Sequence, residues 1–174
     1  MATIRYEPDE SGDMKPIVVF SPIGTIHSPF KDVAGMPIQP NGARGIAGTV
    51  ELSEKYAEGL GDLDGFSRII LIYAFHACDS CELTVTPFLD TNPHGIFATR
   101  APCRPNAIGL SVVRLTARTG RTLIIEDVDI LDGTPLLDIK PYVPAFDAYP
   151  DATSGWLEKS AGGAELFRSD ERFR

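Results

Sequence analysis

The segment TRAPCRPNAIGLS (residues 99–111) sets Arg100, Arg104 and Asn106 among two prolines. Pro102 and Pro105 lack a backbone donor and fix φ, and they push Ala101 and Arg104 toward extended geometry. A connection this stiff presents its guanidinium groups from a fixed base, where the forks match a carboxylate or a phosphate. The plainer alternative is that Arg100 and Arg104 make structural salt bridges in an acidic protein. Asn106 can bond its own backbone or a ligand amide, and Ile108 to Leu115 runs on as a strand.

Three more stretches carry chemistry-bearing side chains. In DGTPLLDIKPYVPAFD (132–147), a regular strand places Asp138, Lys140 and Tyr142 on one face and Leu137 and Ile139 on the other. That polar row fits a pocket wall and equally a solvated edge. SPFKDVAGMPIQPNGARG (28–45) has no periodicity, and Gln39 stands between Ile38 and Pro40. A loop of that length inside a compact domain is usually functional or disordered. In HACDSC (76–81), His76 ends an apolar run and Cys78 and Cys81 are spaced C-x-x-C. His76, Cys78, Cys81 and Cys103 lack the second paired half of a zinc site. Two unpaired thiols in a loop are the simpler reading, and no metal is expected.

Other chemistries lack support. The chain has only three histidines and no G-x-S-x-G elbow. No G-x-G-x-x-G follows a strand, and no P-loop is present.

The elements that must position these groups are mostly strands. Apolar, β-branched runs recur at 16–28, 46–52, 66–77, 83–89, 95–100, 108–118, 122–131 and 135–142. Thr119-Gly120 and Asp132-Gly133 read as hairpin turns. Two helices are expected: one capped by Ser53 over SEKYAEGL, with Tyr56 and Leu60 on one face, and one near 154–166. Many strands with few helices between them exclude a doubly wound sheet. The expected fold is mostly β: a single, mainly antiparallel β-barrel, whose closure removes exposed edges.

At 174 residues, 43% hydrophobic and 23% charged, the chain suffices for one core. A net charge of −8 repels phosphate backbones on average, so a nucleic-acid partner needs a local basic patch. The start, MATIRYEPDESGDMKP, is acidic and has no apolar h-region, so residues 1–16 are expected to form a loose tail. No apolar run approaches the roughly 20 residues that span a bilayer, and a cytoplasmic protein is expected. Three cysteines, an odd number, argue against a disulfide framework.

The order SPF…P-x-Q…FH…GIFATR…RPN-x-IGLS…DGTPLLDIKPY, across about residues 19–147, resembles the YaeB family, also called the TsaA-like or TrmO family. The resemblance implies a barrel over 17–147 followed by an extension, 148–174, packed on or near it. It implies S-adenosylmethionine as cofactor and a homodimer with the cofactor near the interface. The implied activity is methylation of N6 of threonylcarbamoyl-adenosine beside the tRNA anticodon. The cofactor contacts it implies are Pro37, Ile38, Gln39, His76, Ala77, Arg100, Leu110, Asp132, Gly133, Thr134 and Pro135. Arg104, Asn106, Asp138, Lys140 and Tyr142 match family-typical positions. Arg100 suits the cofactor carboxylate, and Asp138 is the expected proton acceptor for the adenine N6. Lys140 and Arg104 suit RNA phosphate or the threonyl carboxylate. Ala77 and Cys103 depart from the family, which often has a longer polar residue and an aromatic there. Bacterial members carry a second small domain after the barrel. The competing readings are a methyltransferase of a small molecule or protein, and a non-catalytic cofactor-binding module.

Overall fold

In the computed structural model, which describes residues 3–173, the strands are β1 Thr3–Pro8, β2 Met14–Val19, β3 Gly24–His27, β4 Ala47–Leu52, β5 Arg68–Ala74, β6 Thr84–Val85, β7 His94–Gly95, β8 Ile108–Thr119, β9 Thr122–Glu126 and β10 Thr134–Pro141. Six of them close an antiparallel barrel in the order β10-β3-β4-β9-β8-β5, as the sequence pattern predicts. Alternation explains the core. β5 turns Ile69, Leu71 and Tyr73 inward, and β8 turns in Val113 and Leu115. Ile26, Val50, Leu52, Leu123, Ile125 and Leu136 complete the interior. Tyr56 and Leu60 close against it, from a 3₁₀ helix, Glu54–Leu60. Ser53 stands at its N-cap but makes no side-chain capping bond.

Several expectations change. Thr119-Gly120 does join a hairpin, β8 to β9. Asp132-Gly133 does not: β10 pairs with β3 and β5, so the turn carries the chain across the barrel end. The strict alternation expected along β10 fails at a bulge between Leu136 and Asp138. The extra residue, Leu137, shifts the parity, so Leu136 and Ile139 pack on the core and Asp138 and Lys140 point away. The runs at 83–89 and 95–100 shrink to a two-residue ladder and a 3₁₀ turn. The helix expected at 154–166 is two 3₁₀ segments, Gly155–Lys159 and Ala161–Leu166. The loose tail expected over 1–16 is, from residue 3 onward, one arm of a hairpin in which β1 pairs with β2; residues 1 and 2 lie outside the described residues.

Two further findings bear on the loops. Cys78 and Cys103 form a disulfide with Cα atoms 5.6 Å apart, and Cys81 is free and exposed. The thiols expected to be unpaired are therefore one bridge and one thiol, since folding brings Cys103 back over residues 78–82. The loop 28–45 is held by the chain's far end. Ser169 accepts from Met36 N–H at 3.0 Å through its hydroxyl and donates its own N–H to Met36 O at 2.8 Å. Trp156 likewise donates to Ala98 O at 2.8 Å and stacks on His94. Among the described residues, no helix is long and apolar enough to cross a membrane.

Candidate active site

The lip at 99–107 is stiffened by more than its prolines. Phe75 N–H donates to Ala107 O at 2.8 Å, which hooks the lip to the end of β5. Arg104 Nη1 donates to Thr99 O at 3.3 Å and closes the loop on itself. Ala101 and Cys103 are buried, and the disulfide ties the lip to the loop that carries His76 and Ala77. Arg100 stays exposed, and its Nη1 donates to Gln39 Oε1 at 3.3 Å. Two predicted motifs 61 residues apart in sequence thus meet side chain to side chain. Beside Gln39, Pro37 is buried and bridges to Arg168, and Ile38 is half-buried.

The turn Asp132–Pro135 leads into β10, whose first residues are Thr134 and Pro135. Gly133 has φ +78°, where a Cβ would be strained, and its N–H donates to Ile26 O at 2.9 Å. Asp132 Oδ1 accepts from Ser28 N–H at 3.0 Å and lies 3.4 Å from His27 Nδ1, while Oδ2 pairs with Lys31. The Lys31 ammonium first, then the Ser28 N–H, hold this carboxyl below its usual range. Both oxygens are therefore spent on the 27–31 loop, and Asp132 acts as a clamp. Thr134 Oγ1 donates to Leu131 O at 2.7 Å and lies 3.4 Å from His76 Nδ1, so the turn and the FH motif adjoin.

Sequence reasoning missed a buried polar chain under the lip. Tyr73 Oη and Ser111 Oγ are 3.0 Å apart inside the barrel, and Ser111 Oγ donates to Asp129 Oδ1 at 2.7 Å. Burial pushes the Asp129 carboxyl up to about 6, against the opposing pull of the Ser111 bond and the Arg100 charge. Burial, then the Asp129 charge, raise the Tyr73 phenol as well. Gly109 belongs to the same device. A Cβ there would lie 2.2 Å from the Tyr73 ring, so only glycine lets β8 pass the ring. The signal was present: Ser111 stands at an inward-facing position of β8, where a polar side chain needs a partner.

The remaining candidates lie apart from these contacts. Asp138 pairs with Lys140 at 2.8 Å, on the outer side of β10. Through the register, Asp138, Ile72 and Leu110 form one lateral row over β10, β5 and β8. Leu110 is half-exposed in that row. Asp138 is thus about two strand spacings, roughly 10 Å, from Leu110. The side chains of Asn106 and Tyr142 make no hydrogen bond among the described residues. Nor does any group of three His, Cys, Asp or Glu side chains there suit a metal ion.

Three comparisons place this arrangement among known proteins. The model of the tRNA-methyltransferase O N-terminal domain matches residues 25–148. A probable S-adenosyl-L-methionine-binding protein of Pyrococcus abyssi is 55% identical over 157 residues, 90% of this chain and 85% of that one. The tRNA (adenine(37)-N6)-methyltransferase of Escherichia coli is 35% identical over 157 residues, 84% of this chain and 66% of that protein. The crystal structure of TrmO from Pseudomonas aeruginosa superposes with a TM-score of 0.67 at 41% identity, over 79% of this chain. This chain spans only 62% of that solved chain.

Proposed function

This chain belongs to the tRNA-methyltransferase O N-terminal-domain family, and on that footing we propose that it is an S-adenosylmethionine-dependent methyltransferase acting on N6 of threonylcarbamoyl-adenosine in tRNA. The observation that carries the reading is the Gln39–Arg100 contact, which joins two family-matched motifs at one lip. The residues present fit the cofactor. Arg100 is an exposed guanidinium whose side-chain hydrogen bond among the described residues goes to the neutral Gln39 amide, with the Asp129 carboxyl acting on it only through its charge, so it remains able to fork onto a carboxylate. Leu110 offers exposed apolar surface for a purine, and the Gly133 turn brings backbone close without a side chain. Pro37, Ile38, Gln39, His76, Ala77 and Asp132–Pro135 complete the proposed cofactor contacts.

When bound, the cofactor supplies a methyl group on a sulfonium centre, open to direct displacement. The chain's own task is alignment and proton removal. The adenine N6 is a poor nucleophile because its lone pair is delocalised into the ring, so an acceptor for its proton assists attack. Asp138 takes that part, oriented by Lys140. Arg104, Asn106 and Tyr142 line the approach, with Arg104 and Lys140 turned to phosphate or to the threonyl carboxylate. The protein works as a homodimer in the cytoplasm, where its RNA substrate resides.

Incubation with methyl-labelled cofactor and tRNA tests the reading. Label is expected in tRNA that carries threonylcarbamoyl-adenosine and not in tRNA that lacks it. Cofactor binding without transfer to either RNA would overturn the substrate.

A further inference from the structure

The β1–β2 hairpin precedes the family match at residue 25, and its construction is unusual for a free arm. Its register pairs Ile4 with Val18, Tyr6 with Pro16 and Pro8 with Met14. These six side chains alternate along the strands and share one face, which carries no charge. The opposite face holds Thr3, Arg5, Glu7, Lys15, Ile17 and Val19. All six residues of the apolar face are exposed, Tyr6 at 62% and Ile4 at 60%. The tip is ordered: Asp9 Oδ1 accepts from Ser11 N–H at 2.9 Å and Asp13 N–H at 3.1 Å. A two-stranded ribbon is marginal in water unless its apolar face is covered.

The barrel wall displays a face of the same size and chemistry. The outward residues of β5 and β8 pair as Ile70 with Val112, Ile72 with Leu110 and Ala74 with Ile108. This too is three apolar cross-strand pairs, and Leu110 and Ile108 are exposed at 52% and 41%. The next outward pair along the same strands is Arg68 with Arg114, at 41% and 47% side-chain exposure. Beyond Pro8 and Met14, the hairpin ends in Asp9, Glu10 and Asp13. Laid tip-first toward Arg68 and Arg114, the hairpin sets apolar pairs on apolar pairs and brings its carboxylates to guanidiniums that already pair with Asp127 and Glu126 of their own chain.

We propose that the β1–β2 hairpin is an exchanged arm whose apolar face covers the β5–β8 wall of a second copy of this chain. The inference rests on the homodimer reading above and names its contact. Only Phe20 to Ile23 separate the hairpin from β3, and Pro22 stiffens that link, which favours projection over folding back. Two reciprocal contacts are needed, since a stable interface covers roughly 1,200–2,000 Å². The partner's arm then lies across Ile72 and the edge of Leu110, whose remaining surface faces the cofactor, in the row that ends at Asp138, so the candidate site is bordered by the second subunit.

Sedimentation velocity on the full chain and on Tyr6→Asp tests the arm. The wild type is expected as a dimer at micromolar concentration. Tyr6→Asp should weaken it about 100-fold, as loss of a buried aromatic anchor does. Because Tyr6 is exposed in a single protomer, the variant should keep the circular-dichroism spectrum of the folded barrel. A monomeric wild type would overturn both the dimer and the arm. A dimer that Tyr6→Asp leaves unchanged would overturn the arm alone. A photo-reactive group at residue 6, in mixed light and heavy isotopic chains, should link to 68–74 or 108–113 of the other chain. Links confined within one chain would assign the arm to its own barrel and refute the exchange.

Discussion

Asp129→Asn removes a carboxylate that the fold holds against its preference. Burial raises its carboxyl from 3.8 to about 6. Between these values the native protein keeps a proton that the unfolded chain has released. Stability from this group is therefore complete below about 4 and is lost as pH rises through about 6. At 1.36 kcal/mol per pKa unit, the ionised group costs about 3 kcal/mol at pH 7.5. Asparagine keeps an oxygen to accept the Ser111 hydroxyl and carries no charge. Urea unfolding at pH 4, 5, 6 and 7.5 should give equal stabilities for wild type and variant at pH 4. The variant should gain up to about 3 kcal/mol by pH 7.5, with the denaturant slope unchanged. Curves that stay parallel across this range would refute the buried, ionised carboxylate. A variant that loses stability as pH rises would mean that the Arg100 charge outweighs burial.

Arg100→Lys keeps the charge but loses the planar fork toward Gln39 and the cofactor carboxylate; calorimetry should show cofactor affinity down about 10- to 100-fold with the fold intact. Cys103→Ser opens a loop of 25 residues; the chain-entropy model gives a loss of about 3.5 kcal/mol, read as a lower denaturation midpoint, and reductant should do the same to the wild type alone. Gly109→Ala drives a methyl into the Tyr73 ring; a loss of about 1–3 kcal/mol is expected in chemical denaturation, with displaced Tyr73 ring signals in NMR spectra.

The barrel was legible because its strands alternate. IILIYA and IGLSVVRL set apolar side chains at period two, and the buried positions follow that period. Along β10 the period held for Asp138, Ile139 and Lys140 but not for Leu137, because nothing local in PLLDIKP marks the bulge that takes Leu137 out of the alternation. The hairpin was hidden for a different reason. Ile4, Tyr6 and Pro8 alternate with Arg5 and Glu7, but the segment is short, acidic and left exposed by the described residues of its own chain. Gln39 and Arg100 were singled out by the stiff segments that carry them as well as by the resemblance, and their contact came only from the fold. The Cys78–Cys103 bridge and the Asp129 chain are long-range facts. An odd cysteine count and a lone serine in a strand do not reveal which groups a closed barrel brings together.

The contacts from Ser169 to Met36 and from Trp156 to Ala98 join segments far apart in sequence. Few apolar side chains support them, whereas the barrel rests on one continuous core. The layer of loops over the barrel is therefore a separate cooperative unit, able to open while the strands stay closed. Amide exchange in the strands then reports global unfolding, whereas residues 33–39 and 98–104 exchange on the lower free energy of undocking. Whatever loosens residues 155–173 loosens the lip, without touching a single rung of the ladder beneath.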